Sequence, residues 1–393
     1  MIDRRTRSLR FAAPLALVLA ACGDDGPPPA AGTTGEATAS GSSSSSGAGT
    51  STGAGTSSGG ADTSSSGEAS TTGGDSTTTG DDTTTGPMIE DPGCPECIVL
   101  ADGLVGGRGL FVDDAWVYFT DQDGGTVERA PKGGGPRELL QSNQDQPYGV
   151  AATADQLYYT TFVEGGSVWR AALPDSFPMA LSADDFPRML QIVDGFVYWC
   201  TFDDVEGRVR RVPTMGIGMP PETLVSVGSG VSDLEIVGPL VYFTAHEPPA
   251  MPGLAPDGNV YVAASDVPTA PGMETVLAVE QAVPWGMAVA GDSVFWVNGD
   301  GQGNAQPLRV MSVPIDGSSF PTELAIEQTS PWGVAADEQH VYWTDYTEVK
   351  ALPHAGGEPI LLADQQNIGR SIVVDDDQVY WITRTRVLQR PKP

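Results

Sequence analysis

Val341-Tyr342-Trp343-Thr344-Asp345 is the stretch that decides the fold. Its first four residues are β-branched or aromatic, as strands prefer, and the phrase recurs. Going back along the chain it reads Val117-Tyr118-Phe119-Thr120, Leu157-Tyr158-Tyr159-Thr160, Val197-Tyr198-Trp199-Cys200, Val241-Tyr242-Phe243-Thr244 and Val294-Phe295-Trp296-Val297. Going forward it reads Val379-Tyr380-Trp381-Ile382, which makes seven copies. The successive spacings of 40, 40, 44, 53, 47 and 38 residues average about 44. That is the period of a four-stranded propeller blade, and seven blades is an ordinary number.

Working outward from the phrase places the other strands. In the first copy, Gly109–Asp113 is expected as inner strand a, Trp116–Asp121 as b, Thr126–Ala130 as c and Arg137–Gln141 as d. Strands a and b are apolar at nearly every residue because neighbouring blades cover both faces. Asp and Gly at 113–114, 194–195 and 375–377 suit the a–b turns. The last copy ends before a fourth strand, whereas Ile98-Val99-Leu100-Ala101-Asp102 matches Ile360-Leu361-Leu362-Ala363-Asp364, the strand d before the last copy. The predicted fold is therefore all-β: a seven-bladed β-propeller over 92–393, its last blade closed by the N-terminal strand.

Val341-Tyr342-Trp343-Thr344-Asp345, Val117-Tyr118-Phe119-Thr120-Asp121 and the continuation Val127-Glu128-Arg129-Ala130-Pro131 resemble the YWTD-type propellers of lipoprotein receptors and their bacterial relatives. The resemblance covers about residues 98–390 and implies the architecture and a bias towards protein binding. The chain departs from the receptors in having seven blades rather than six and no flanking cysteine-rich modules. The Asp is also replaced in five copies, by Thr161, Thr201, Ala245, Asn298 and Thr383.

Ahead of the repeats lies a different kind of sequence. Arg4, Arg5, Arg7 and Arg10 precede a short apolar run, Phe11 to Ala21, too short to span a bilayer. Leu19-Ala20-Ala21-Cys22 resembles the lipobox of bacterial lipoproteins. That resemblance implies a signal peptide over 1–21, acylation of Cys22 and export to a lipid-anchored position on the outer membrane or cell surface. Residues 23–91 hold no Lys, Arg or aromatic residue, and ten acids among Ser, Thr, Gly, Ala and Pro. Such a segment cannot bury enough apolar surface to order itself. Residues 22–91 are therefore expected to be a disordered acidic tether with a reach of roughly 40–50 Å.

The whole chain carries 20 basic and 51 acidic residues, net −31. That balance opposes nucleic-acid binding. Residues 92–393 alone hold 16 basic and 40 acidic residues, so the ring itself is acidic. Against that background one aligned position stands out, ten residues before each Tyr or Phe of the phrase. It holds Arg108, Tyr148, Arg188, Ser232, Trp285, Trp332 and Arg370. The chain enters strand a there, so these side chains are expected to ring the channel mouth. Guanidiniums bind carboxylates bidentately and aromatic faces stack on sugars or cations; the other reading is that the aromatics pack between blades and the arginines pair with the excess acids. Three residues further on, Gln191 and Glu235 break an otherwise apolar pattern and are expected to face the channel.

Cys94-Pro95-Glu96-Cys97 in an exported chain reads as a local disulfide. Cys200 takes the slot that usually holds Thr and is expected to be buried. The Pro-rich loop 246–258 and the loop Asn298-Gly299-Asp300-Gly301-Gln302-Gly303-Asn304 are the longest between strands b and c. The second has one charged oxygen ligand and no closing Glu, so it reads as a glycine loop rather than a calcium site. No nucleophile elbow, phosphate loop or zinc-protease motif is present. The functional expectation is a monomeric, envelope-anchored, non-catalytic binding or scaffold module for a protein or glycan, with no cofactor or metal. The alternative is a propeller hydrolase or lyase with a channel-facing, metal-dependent site.

Overall fold

A computed structural model of the chain describes residues 91–174, 176–203, 205–246, 257–299 and 308–393. The segments expected to be a signal peptide and a tether, Cys22 included and Asp91 excepted, lie outside the described residues, as do most of the two long b–c loops. The described residues form seven four-stranded antiparallel sheets. Blade 1 comprises strands Gly107–Val112, Trp116–Asp121, Thr126–Pro131 and Glu138–Gln141. The inner strands of blades 2 to 7 are Pro147–Ala152, Pro187–Val193, Gly230–Val237, Pro284–Ala290, Val334–Ala336 and Gly369–Val374. Each inner strand contacts the next, and the last contacts the first, so the ring is closed.

The closing blade is built as expected. Ile98–Asp102 pairs antiparallel with Arg386–Pro391, Ile98 opposite Gln389 and Asp102 opposite Arg386. Charges clasp this seam: Arg386 bridges Asp91 at 3.1 Å and Asp102 at 2.9 Å, and Arg390 meets Glu96 at 2.8 Å. Cys94 and Cys97 form a disulfide beside it, and Cys200 is a buried free thiol.

Between blades the phrase supplies the core. Trp199, Trp296, Trp343 and Trp381 are wholly buried, as are Tyr118, Tyr158, Tyr242, Tyr342 and Tyr380. Burying a large apolar side chain contributes about 1.5–3 kcal/mol, so repeating it blade by blade is the main source of cohesion. The Trp indole N–H still needs an acceptor. It finds Asp184, Gln281, Gln328 or Gln366 at 2.8–3.2 Å, always fifteen residues earlier in the chain.

At the end of the ring bearing the a–b turns, here the lower end, the turn aspartates do structural work. Asp337 accepts from the amides of Gln339 and His340, from the Tyr342 hydroxyl and from Lys392 of the next blade, each at 2.8 Å. Burial alone would raise its pKa, but these donors outweigh it and hold the carboxyl at about 2. Asp375 repeats the device with Tyr380 and Lys132, both at 2.8 Å.

Candidate functional site

The upper end of the ring, where the inner strands begin, holds the aligned position. Strand a starts two residues earlier than expected in blade 1, because Gly107 pairs with Asp121. The register then slips before Leu110 pairs with Phe119, which leaves Arg108 and Gly109 in a β-bulge. The same slip brackets Tyr148, Arg188, Ser232, Trp285 and Arg370. A bulge re-aims the side chain it carries, which is the local reason these residues share a place in the ring.

The aligned residues meet in one chain of contacts. The Arg108 guanidinium lies 5.3 Å from the Tyr148 ring centroid, and its Nε donates to Gln122 at 2.7 Å. Arg188 is fully buried; its Nη2 donates to the Tyr148 hydroxyl at 2.7 Å. Four rings surround its guanidinium carbon: Phe202 at 4.6 Å, Tyr148 at 5.0 Å, Phe162 at 5.3 Å and Trp285 at 5.6 Å. Trp285 stacks on Trp332, with centroids 6.4 Å apart and planes 17° from parallel. The Arg370 guanidinium then sits 4.2 Å from the Trp332 ring. Guanidiniums and aromatic rings thus contact one another from blade 1 to blade 7, interrupted only by the Trp285–Trp332 stack, each cation–ring contact worth from about 0.5 kcal/mol when exposed to about 2 kcal/mol when desolvated.

Depth divides this array. Arg108, Tyr148, Arg188, Ser232 and Trp285 are buried, so they form its floor rather than an open rim. Trp332 and Arg370 are half-buried and present the accessible part, in blades 6 and 7. Sequence reasoning missed Phe162, Phe202 and His246, which complete the floor; His246 packs edge-on against Trp285 with centroids 4.3 Å apart. They share a second aligned position, four residues after the Tyr, which also holds Gln122 and Gly299. A Cβ at Gly299 would lie 2.2 Å from Trp285, so only glycine leaves room for that indole.

Gln191 and Glu235 are placed differently from expectation. Both are buried and aim across seams between blades instead of into an open channel. Adjacent inner strands share no hydrogen-bond ladder, and their buried amides need acceptors. Gln191 Oε1 accepts from Ile236 N at 2.9 Å. Asp233 accepts from Met287 N at 2.9 Å, and Glu235 accepts from Val289 N. Burial pushes the Glu235 carboxyl well up from the ordinary value of 4.5; the Val289 amide lowers it and the neighbouring Asp233 charge raises it further. Among the described residues, no group of three His, Cys, Asp or Glu side chains is placed to hold a metal ion.

No family model matches the chain, and no curated protein matches it in sequence. Solved structures match its fold. The hydrazine synthase of Kuenenia stuttgartiensis aligns with a TM-score of 0.56 at 12% identity, over 78% of this chain and 98% of that one. A streptogramin B lyase aligns at 0.55 and 11%, over 76% and 99%. The WD40 propeller domain of Doa1 aligns at 0.53 and 11%, over 74% and 95%. The class is therefore β-propeller. A fold shared by a synthase, a lyase and a WD40 domain leaves function to the site.

Proposed function

We propose that this chain is an envelope-anchored lipoprotein, acylated at Cys22, whose propeller is a non-catalytic module binding a carboxylate-bearing glycan or protein segment at its upper end. The observation that carries this reading is the Arg–aromatic array ending in accessible Trp332 and Arg370. The Trp332 face supplies a stacking surface, and the Arg370 guanidinium held against it supplies charge-assisted hydrogen bonds. The buried floor fixes both from below. The same geometry weighs against the hydrolase or lyase alternative, because Asp233 and Glu235 already accept hydrogen bonds from backbone amides of the next blade.

Affinity electrophoresis in polygalacturonate against neutral dextran tests the binding. Retardation in the acidic polymer alone is expected, with at least a tenfold weaker Kd for the Trp332→Ala/Arg370→Ala pair. Equal mobility in both polymers, or an unchanged Kd in the folded variant, overturns it. The anchor has its own test: Cys22→Ala moves the protein from the detergent phase to the aqueous phase in Triton X-114 partition, and unchanged partition refutes acylation there.

A further inference from the structure

The lower end of the ring is unequal around its circumference. The c–d loops of blades 1 and 6 read Lys132-Gly133-Gly134-Gly135-Pro136 and His354-Ala355-Gly356-Gly357-Glu358-Pro359, short and without large apolar side chains. In the four consecutive blades 2 to 5 the corresponding loops carry large apolar residues into solvent. Phe177 is 94% exposed, Phe320 91%, Met273 73% and Met215 70%, with Ile217 and Met219 also exposed.

The loops of blades 3 and 4 are each tied to a strand of the preceding blade. The Tyr158 hydroxyl of blade 2 donates to Thr214 O in the blade 3 loop, and the Tyr198 hydroxyl of blade 3 to Ser265 O in the blade 4 loop, both at 3.3 Å. Thr269 N of the blade 4 loop donates back to Leu224 O at 2.7 Å. Between blades 4 and 5 lies a cleft of about 280 Å³ lined by Leu240, Met273, Leu277 and Ile315, with Thr269 and Asp316 among its polar lining residues. That volume is small for a free ligand and suits a single bulky side chain.

Isolated exposed apolar residues need no explanation, but four adjacent loops of them mark an interaction surface. The charge around them selects the partner. Asp194, Asp266, Asp292 and Asp316 are exposed in the turns and loops of the same blades. The three lysines of the chain, Lys132, Lys350 and Lys392, belong to blades 1, 6 and 7. Arg211 is engaged by Glu222, Ser265 O and Asp266 O, each at 2.7–2.8 Å. Apolar side chains in an acidic surround complement a segment that is apolar and basic.

We infer that the lower surface of blades 2 to 5 docks a protein segment presenting a bulky apolar side chain flanked by Lys or Arg. This surface is separate from the upper array and stands or falls independently of it. The test uses the full chain and a fluorescein-labelled peptide of alternating Leu and Lys. Parallel peptides replace Lys by Glu or Leu by Ser. The variant is Met273→Ser/Phe320→Ser, which keeps the charge and alters only exposed side chains. The Leu-Lys peptide is expected to bind the native chain, at least tenfold more weakly to the variant, and neither control peptide to bind. Failure of the Leu-Lys peptide, equal binding of the Ser-Lys peptide, or an unchanged variant overturns the inference. So does self-association in sedimentation velocity, or binding to phosphatidylcholine vesicles, that the variant abolishes, since the occupant is then a second copy or a lipid surface.

Discussion

The seam between blades 1 and 2 and the seam between blades 4 and 5 solve one problem with different chemistry. At the first, Thr120 Oγ1 accepts from Gly109 N at 2.8 Å and donates to Tyr148 O at 2.7 Å. Thr160 and Thr344 repeat this relay at the next seam and at the seam between blades 6 and 7. Between blades 4 and 5, Thr244 still donates to Trp285 O at 2.7 Å, but the amides of the blade 5 strand are taken by Asp233 and Glu235. Where blade 5 has Val297 in place of Thr, Gly286 N donates directly to Trp332 O at 3.2 Å. The repeated Thr is thus a hydroxyl spacer between backbones, indifferent to pH. The carboxylate stitch does the same job and titrates.

The largest effect is expected at the glycine of the hydroxyl seam. A Cβ on Gly109 would sit 2.0 Å from Tyr148 O, so Gly109→Ala must push the two blades apart. Urea unfolding is expected to show a loss of about 3 kcal/mol, near the top of the usual range for single substitutions. A loss under half a unit would mean the seam opens without strain.

Thr160→Val comes next. It leaves Gly149 N and Arg188 O without their hydroxyl partner, which costs about 1–3 kcal/mol when the groups are buried. The loss is expected to be the same from pH 5 to pH 9, since nothing in that relay ionises. A loss that varied with pH would break the contrast between the seams.

Glu235→Gln gives the smallest and most telling stability effect. The folded state holds a proton on Glu235 more tightly than the unfolded chain does, so native stability falls as pH rises above about 4.5. The variant is therefore expected to have a higher Tm than the native chain at pH 8, with the gap closing towards pH 4.5. A gap independent of pH would show that Glu235 does not titrate as its burial requires.

These contrasts also mark what the sequence discloses. The ring, its seven blades and its closure by Ile98–Asp102 follow from a phrase repeated in hydrophobic period, because every blade faces the same packing demand. The aligned position was legible as well, since a fixed offset from Tyr lands on the same bulge. Depth was not, because Arg188 and Arg370 look identical in a string. The rings of Phe162 and Phe202, from the b–c loops of blades 2 and 3, join Tyr148 and Trp285 around the former. Glu235 misled for a related reason: a polar residue on an inner strand looks channel-facing until the unpaired amides of the next strand are placed beside it. One signal lay in plain view. Gln or Asp occurs fifteen residues before every Trp or Tyr of that slot, while Leu104 and Gly228 precede Phe119 and Phe243, which have no donor.

The polar residues of the inner strands divide into a binding array and seam ties, and one comparison tests that division directly. Polygalacturonate binding is measured side by side for the native chain, Trp332→Ala/Arg370→Ala and Glu235→Gln, with the fold of each verified by near-UV circular dichroism. At least a tenfold loss is expected for the array pair and native affinity for Glu235→Gln. Loss of binding in Glu235→Gln alongside native affinity in the array pair would contradict that division and move the functional site into the seam between blades 4 and 5.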